Sequence, residues 1–237
     1  MPKCNVQSLE HIFRLSVAKV LHEHCTTLPN AYVKQLVDGD VRVFLPPQFK
    51  AIVRHQLVTS LDNTIVALPT STGKTLLGEL CLVAALQQQP GIVCYLAPYV
   101  ALGRQVVQLL EQHLPQSIRI HRMIGGFKEA EQLDPTNHAE VVVATPERLD
   151  ALLRMMPNLI PHLRCIVCDE AHLIQNDTRG IRLEGLLTRL RLLQDAGYQI
   201  RLVLLSAVVS RYDKLIRWIN ASESFVVTDW SPMKFVS

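Results

Sequence analysis

The chain has 237 residues, 49% of them hydrophobic and 19% charged, with a formal net charge of +3. That balance excludes a disordered segment and a small module held by disulfides or metal, and it gives one large or two small domains around an aliphatic core. The mild positive charge is compatible with a nucleic-acid partner without requiring one.

No run reaches the ~18 apolar residues of a membrane span. Phe13–Leu21 is broken by Arg14 and Lys19, so no signal peptide is expected and a cytoplasmic or otherwise intracellular setting is. Residues 8–24 carry Leu9, Ile12, Phe13, Val17, Val20 and Leu21 at helical spacing, and a second short helix over 31–37 closes at Asp38-Gly39-Asp40. Residues 1–43 therefore read as a helical N-terminal extension. Pro46-Pro47 suit the first turn of a helix running from Gln48 to Val58.

Thr64–Leu68 reads as a strand. It runs into Leu68-Pro69-Thr70-Ser71-Thr72-Gly73-Lys74-Thr75 and then a helix over 76–86. A strand at 92–96 follows, then a helix at 99–113 and a strand at 118–121. The next loop holds Gly125-Gly126. From Pro115 to Lys128 there are Arg119, His121, Arg122 and Lys128 and no acidic residue, which is either a phosphodiester-facing loop or a plain basic one.

A strand at 140–144 leads to Thr145, a candidate cap for the helix 147–155, with Pro146 at its first position. A strand at 162–168 ends in Asp169-Glu170-Ala171-His172. A leucine-rich helix spans 180–193. A strand at 200–205 delivers Ser206-Ala207-Val208, and a helix at 212–219 and a strand at 224–227 finish the chain. Continuous Val/Ile/Leu strands alternating with helices predict an α/β fold, a parallel sheet covered by helices on both faces.

Strand, loop, Gly-Lys-Thr, helix is a phosphate-loop context. Loop amides and a helix N-terminus offer donors to a phosphate chain, Lys74 reaches its end, and the Thr75 hydroxyl suits Mg2+. Leu68 and Ser71 stand where many such loops carry glycine, and Gly-Lys-Thr or its serine version arises by chance in ~10% of chains this long. The tripeptide alone is equally an ordinary helix start. Asp169 can hold Mg2+ and Glu170 can take a proton from water, although Asp-Glu after a strand, taken alone, is rather an ordinary polar turn capping a helix. Asp-Glu-Ala-His after a strand is far rarer, on the order of one chain in a thousand.

Gln48, 26 residues before Lys74, offers the donor and acceptor that an adenine edge needs, or is a solvated side chain at a helix start. Six cysteines stand at 4, 25, 81, 94, 165 and 168. Cys165-x-x-Cys168 lies inside a strand pattern, which suits buried thiols better than a metal or redox site.

These stretches resemble the motifs of the first RecA-like ATP-binding domain of superfamily 2 DEAD/DEAH-box helicases, over about residues 44–230. Leu68–Thr75 resembles motif I, Ala97–Gln105 motif Ia, and Gly125-Gly126 with Thr145–Arg148 the Ib region. Asp169–His172 resembles motif II, Ser206–Val208 motif III, and Pro46-Pro47-Gln48 the Q motif. Pro46-Pro47-Gln48, and Arg179-Gly180 with Glu184, resemble the Ski-like branch.

The resemblance implies a RecA-like P-loop NTPase that couples ATP hydrolysis to movement on DNA or RNA. Gln48, Thr70, Ser71, Thr72, Gly73, Lys74 and Thr75 would bind ATP. Lys74, Asp169 and Glu170 would be catalytic, and Thr75 and Asp169 would hold Mg2+. His172 and Ser206 would couple hydrolysis to domain motion. Pro98, Arg104, Gly125, Gly126 and Thr145 would meet the backbone of a single strand.

Val208 departs from the usual threonine of motif III. Residues 231–237 would lead to a second RecA-like domain carrying an arginine finger, so this stretch alone is expected to hydrolyse ATP weakly or not at all. Two other readings stay open: a non-catalytic, ATP-sensitive docking module for nucleic acid or protein, and a P-loop remodelling ATPase that does not unwind. No membrane partner is expected.

Overall fold

The computed structural model describes residues 15–69, 71–124, 133–175, 177–207, 212–221 and 223–226. Among the described residues seven strands form one sheet: β1 Thr64–Ala67, β2 Ile92–Leu96, β3 Ile118–Met123, β4 Ala139–Ala144, β5 Leu163–Cys168, β6 Arg201–Ser206 and β7 Glu223–Val226. Their order is β3-β4-β2-β5-β6-β1-β7, and every pairing is parallel.

The helices are α1 Val17–His24, α2 Asn30–Asp38, α3 Pro46–Val53, α4 Lys74–Gln88, α5 Val100–His113, α6 Pro146–Met155, α7 Asp177–Asp195 and α8 Tyr212–Ile219. Among the described residues no helix is long and apolar enough to cross a membrane.

Side chains alternate across a strand with period two, and here both faces are apolar. Val66, Val93, Tyr95, Val143, Val167 and Leu205 join one buried cluster with residues of α1 to α5. Ile65, Cys94, Leu96, Ile166, Cys168 and Leu204 join a second with α6, α7 and α8. That is why the strands read as unbroken apolar runs. Helices α1 and α2 have no core of their own, because Val17, Leu21, Tyr32 and Leu36 belong to the same cluster as Leu77 and Val107.

Three boundaries differ from the periodicity. Among the described residues the first helix begins at Val17, because Ser16 forms an antiparallel bridge with Val43 and Leu15 accepts from Phe44 N at 2.8 Å. Helix α3 takes in both prolines and stops at Val53. Leu57 and Val58 are buried from a turn, one residue after Gln56 at φ 48°. The spacing of Ile52, Val53 and Leu57 imitates a longer helix. Cys165 and Cys168 lie on opposite faces of β5, in different clusters, so one ion cannot draw on both.

Candidate functional site at the carboxyl edge of the sheet

The loop 68–73 leaves the sheet between two neighbours. Leu68 N donates to Ser206 O at 3.0 Å, which extends the β1–β6 ladder by one rung. The buried Thr72 hydroxyl donates to Pro69 O at 2.6 Å and closes the turn. Ser71 and Gly73 both adopt left-handed backbone, at φ 61° and 70°.

Gly73 is constrained twice, because a Cβ there would stand 2.3 Å from Gln48 Nε2. Gln48 is buried; its Oε1 accepts from Leu45 N at 2.8 Å and its Nε2 donates to Gly73 O at 3.1 Å. The expected adenine reader therefore latches the start of α3 to the start of α4. A carboxamide keeps one donor and one acceptor valence beyond those two bonds. Lys74 is buried, and its ammonium donates to Leu68 O at 3.2 Å and Pro69 O at 3.3 Å, inside the loop's own ring of carbonyls.

At the end of β5, Asp169 N donates to Leu96 O at 2.9 Å and the carboxylate is buried. Its Oδ1 accepts from Glu170 N at 2.9 Å and its Oδ2 from the Tyr95 hydroxyl at 2.8 Å. Burial, then the adjacent Asp169 carboxylate, hold the Tyr95 phenol well above its usual pKa, so it stays a donor.

Glu170 sits at φ 50°, a left-handed backbone costing about 1–2 kcal/mol for an L-residue. Its Oε2 lies 3.2 Å from His172 Nδ1. The two are off the hydrogen-bonding direction, and both atoms are buried without an aligned partner among the described residues.

The strand order sorts the remaining candidates. β1, β6 and β5 are adjacent and carry the loop, Ser206 and Asp169-Glu170. β2 and β4 are adjacent and carry Pro98 and Thr145. Ala97 N donates to Ala144 O at 2.9 Å and ties those two strand ends together. Pro98 and Thr145 are partly buried, and Arg104 is exposed on α5. Thr145 occupies the cap position of α6, but its side chain makes no capping hydrogen bond, which corrects the sequence expectation. Extended backbone at φ −82°, ψ 158° and Pro146 at the first position suffice to start that helix. Thr70, Gly125, Gly126 and Val208 lie outside the described residues.

Thr75 and Asp169 are hard oxygen donors, and no group of three or more His, Cys, Asp or Glu gathers among the described residues. That set fits Mg2+ held by one carboxylate, one hydroxyl and ligand phosphates, and it does not fit a zinc or calcium cage. Sequence reasoning missed Tyr95 and a buried cluster of Glu79, His113 and Tyr32. Each left a signal: a lone phenol in an aliphatic strand, and a lone carboxylate in the apolar run Leu76–Leu86.

A sequence model of the DEAD/DEAH box helicase family matches residues 47–215. The ATP-dependent DNA helicase Hel308 of Methanocaldococcus jannaschii is 32% identical over 207 residues, covering 84% of this chain and 16% of that protein. Those of Thermococcus kodakarensis and Pyrococcus horikoshii are 31% and 28% identical, covering 85% and 80% of this chain and 17% and 25% of theirs. The chain thus spans a quarter or less of the length of these relatives. The crystal structure of the Pyrococcus furiosus Hef helicase domain superposes with a TM-score of 0.59 at 20% identity, over 76% of this chain and 38% of that one. The architecture is the RecA-like fold of helicase domains.

Proposed function

The chain belongs to the DEAD/DEAH box helicase family, and from that membership we propose that it is the ATP-binding half of an ATP-dependent helicase or translocase that moves on DNA. The carrying observation is that buried Lys74 and Asp169 stand at the carboxyl ends of strands separated only by β6, beside a loop locked by Gln48 and Gly73. Opposite charges buried at one sheet edge, in a loop of fixed shape, suit a polyanionic ligand. The relatives' name as DNA helicases favours DNA over RNA.

In this reading Lys74 exchanges the carbonyls of Leu68 and Pro69 for the terminal phosphates. The backbone from Thr70 through Ser71, Thr72 and Gly73 cradles the rest of the phosphate chain. Gln48 uses its remaining donor and acceptor on adenine. Thr75 and Asp169 would hold Mg2+, which when bound neutralises phosphate charge. Glu170, whose Oε2 has no aligned partner, takes the proton of the attacking water.

His172, facing Glu170, and Ser206, whose carbonyl holds Leu68 N, pass the state of the site to the rest of the protein. Pro98, Arg104, Gly125, Gly126 and Thr145 meet sugar and phosphate of a single strand, so binding falls with salt. Residues 1–43 act as an extension, 44–230 as the ATP-binding domain, and 231–237 as the start of a linker to a second RecA-like domain. That domain supplies an arginine finger worth about 10^3-fold or more. Pro46-Pro47-Gln48, and Arg179-Gly180 with Glu184, support the Ski-like branch.

The test is DNA-stimulated ATP hydrolysis by the full-length protein. Lys74→Ala and Glu170→Gln are each expected to lower turnover about 100-fold or more. Unchanged turnover in both overturns the reading. Strand displacement on DNA and RNA duplexes decides the polymer and separates unwinding from remodelling.

A further inference from the structure

Tyr95 is the only aromatic residue of β2 and is wholly buried. A phenol hydroxyl in an apolar core is costly unless it finds a partner. The partner is Asp169 Oδ2 at 2.8 Å, while Glu170 N holds Oδ1 at 2.9 Å. Both oxygens of the carboxylate are therefore held, from two directions.

The ring lies against α4 one turn beyond Thr75, where a Cβ on Gly78 would stand 3.2 Å from Tyr95 Cε2. One side chain thus touches both elements that carry the oxygen donors. A hydroxyl that only satisfied itself in the core could have used any nearby carbonyl. This one takes Asp169, the one buried carboxylate at the carboxyl edge of the sheet among the described residues.

We propose that Tyr95 is a positioning residue: its hydroxyl sets the rotamer of Asp169 and the spacing between Asp169 and Thr75, so that the pair is preformed for the divalent cation of a nucleotide–metal complex. The inference rests on the nucleotide reading above. Outer-sphere partners of this kind change metal affinity by about 10–100-fold when removed. Tyr95→Phe keeps the ring packing and leaves Oδ2 without its donor.

The experiment measures the affinity of the full-length protein for a fluorescent ADP analogue across a Mg2+ titration, with Mn2+ binding in the presence of ADP read by electron paramagnetic resonance. For Tyr95→Phe the Mg2+ midpoint is expected to rise about 10-fold. Cation-free ADP affinity should stay within about twofold, and high Mg2+ should restore binding. Tyr95→Met, which removes the hydroxyl and fills the core with a flexible apolar chain, is the second variant and should behave alike if the phenylalanine variant does not fold. A purely structural tyrosine would lower the melting temperature and leave the Mg2+ midpoint unchanged, and that result overturns the proposal. If the wild type itself shows no Mg2+-dependent nucleotide binding, the nucleotide reading falls and this inference with it.

Discussion

The carboxamide of Gln48 donates to the carbonyl of Gly73 at 3.1 Å, at the one loop residue whose added Cβ would collide with it. The helices α3 and α4 are thereby latched through a position that only glycine fills without strain. Gly73→Ala is expected to cost about 1–2 kcal/mol from the left-handed backbone alone, plus the clash. Gln48→Ala should relieve the clash. The double variant is therefore expected to be less destabilised than the sum of the singles, as denaturant melts will read. Additive losses would show that the latch and the backbone strain are independent.

The buried cluster on α4 makes a pH prediction. Glu79 accepts from the Tyr32 hydroxyl at 2.8 Å, and both its oxygens lie 3.0 Å from His113 Nδ1. Burial raises the Glu79 carboxyl above its ordinary value, and His113 and Tyr32 offset part of that rise. The folded chain therefore holds this proton to higher pH than the unfolded chain does. Stability from this group falls as pH rises from the ordinary carboxylate range through the raised value. The melting temperature of the wild type relative to Glu79→Gln is expected to improve as pH drops from 8 to 5. A difference that stays flat, or reverses, contradicts the assignment.

Five thiols should be silent in the folded chain. Cys25, Cys81, Cys94, Cys165 and Cys168 are all free and buried. Burial, the largest cause in each case, raises all five, and Cys25 and Cys165 are pushed up to about 12. Reaction requires the thiolate. At pH 8 an aromatic disulfide reagent is expected to leave these five unmodified until denaturant is added. Rapid native labelling of Cys165 or Cys168 would reopen the Cys-x-x-Cys reading.

Arg201 holds the opposite end of the sheet. It is buried, and it donates from Nε to Asp62 O at 3.0 Å and from one terminal nitrogen to Leu57 O at 2.7 Å. Arg201→Ala removes two charge-assisted hydrogen bonds from the core, leaving Asp62 O to the Thr64 hydroxyl and Leu57 O to the Cys81 thiol, and should cost about 2–4 kcal/mol. Arg201 begins β6 and Ser206 ends it, about 16 Å apart along the strand, so nucleotide affinity below the melting range is expected to stay within twofold. Equilibrium unfolding and ADP titration of one preparation check both halves.

Much of this was readable locally. Whether a segment is strand or helix depends on its own spacing of apolar residues. Val66 and Ile65, one residue apart, go to opposite faces of the sheet, which is why the strand pattern carried no alternation and still marked a sheet covered twice. The candidate site residues were legible for a related reason. Loops at strand ends escape the core's demand for apolar side chains, so Lys74 or Asp169-Glu170 stands out against what precedes it. Helix ends were less legible: Leu57 and Val58 are buried from a turn, and the spacing of Ile52, Val53 and Leu57 imitates a longer helix.

What local pattern left open was who meets whom. Composition and periodicity required a parallel α/β sheet with its chemistry on one edge. They did not contain the order β3-β4-β2-β5-β6-β1-β7, which leaves only β6 between Asp169 and the loop after β1 and brings Tyr95 against Asp169. Tyr95 and Asp169 are 74 residues apart, Tyr32 and Glu79 47 apart. A buried polar group must find a partner, and its own neighbours in the chain can state that need without naming the partner. The name comes from which strands and helices pack side by side, and that is settled only when the whole core closes.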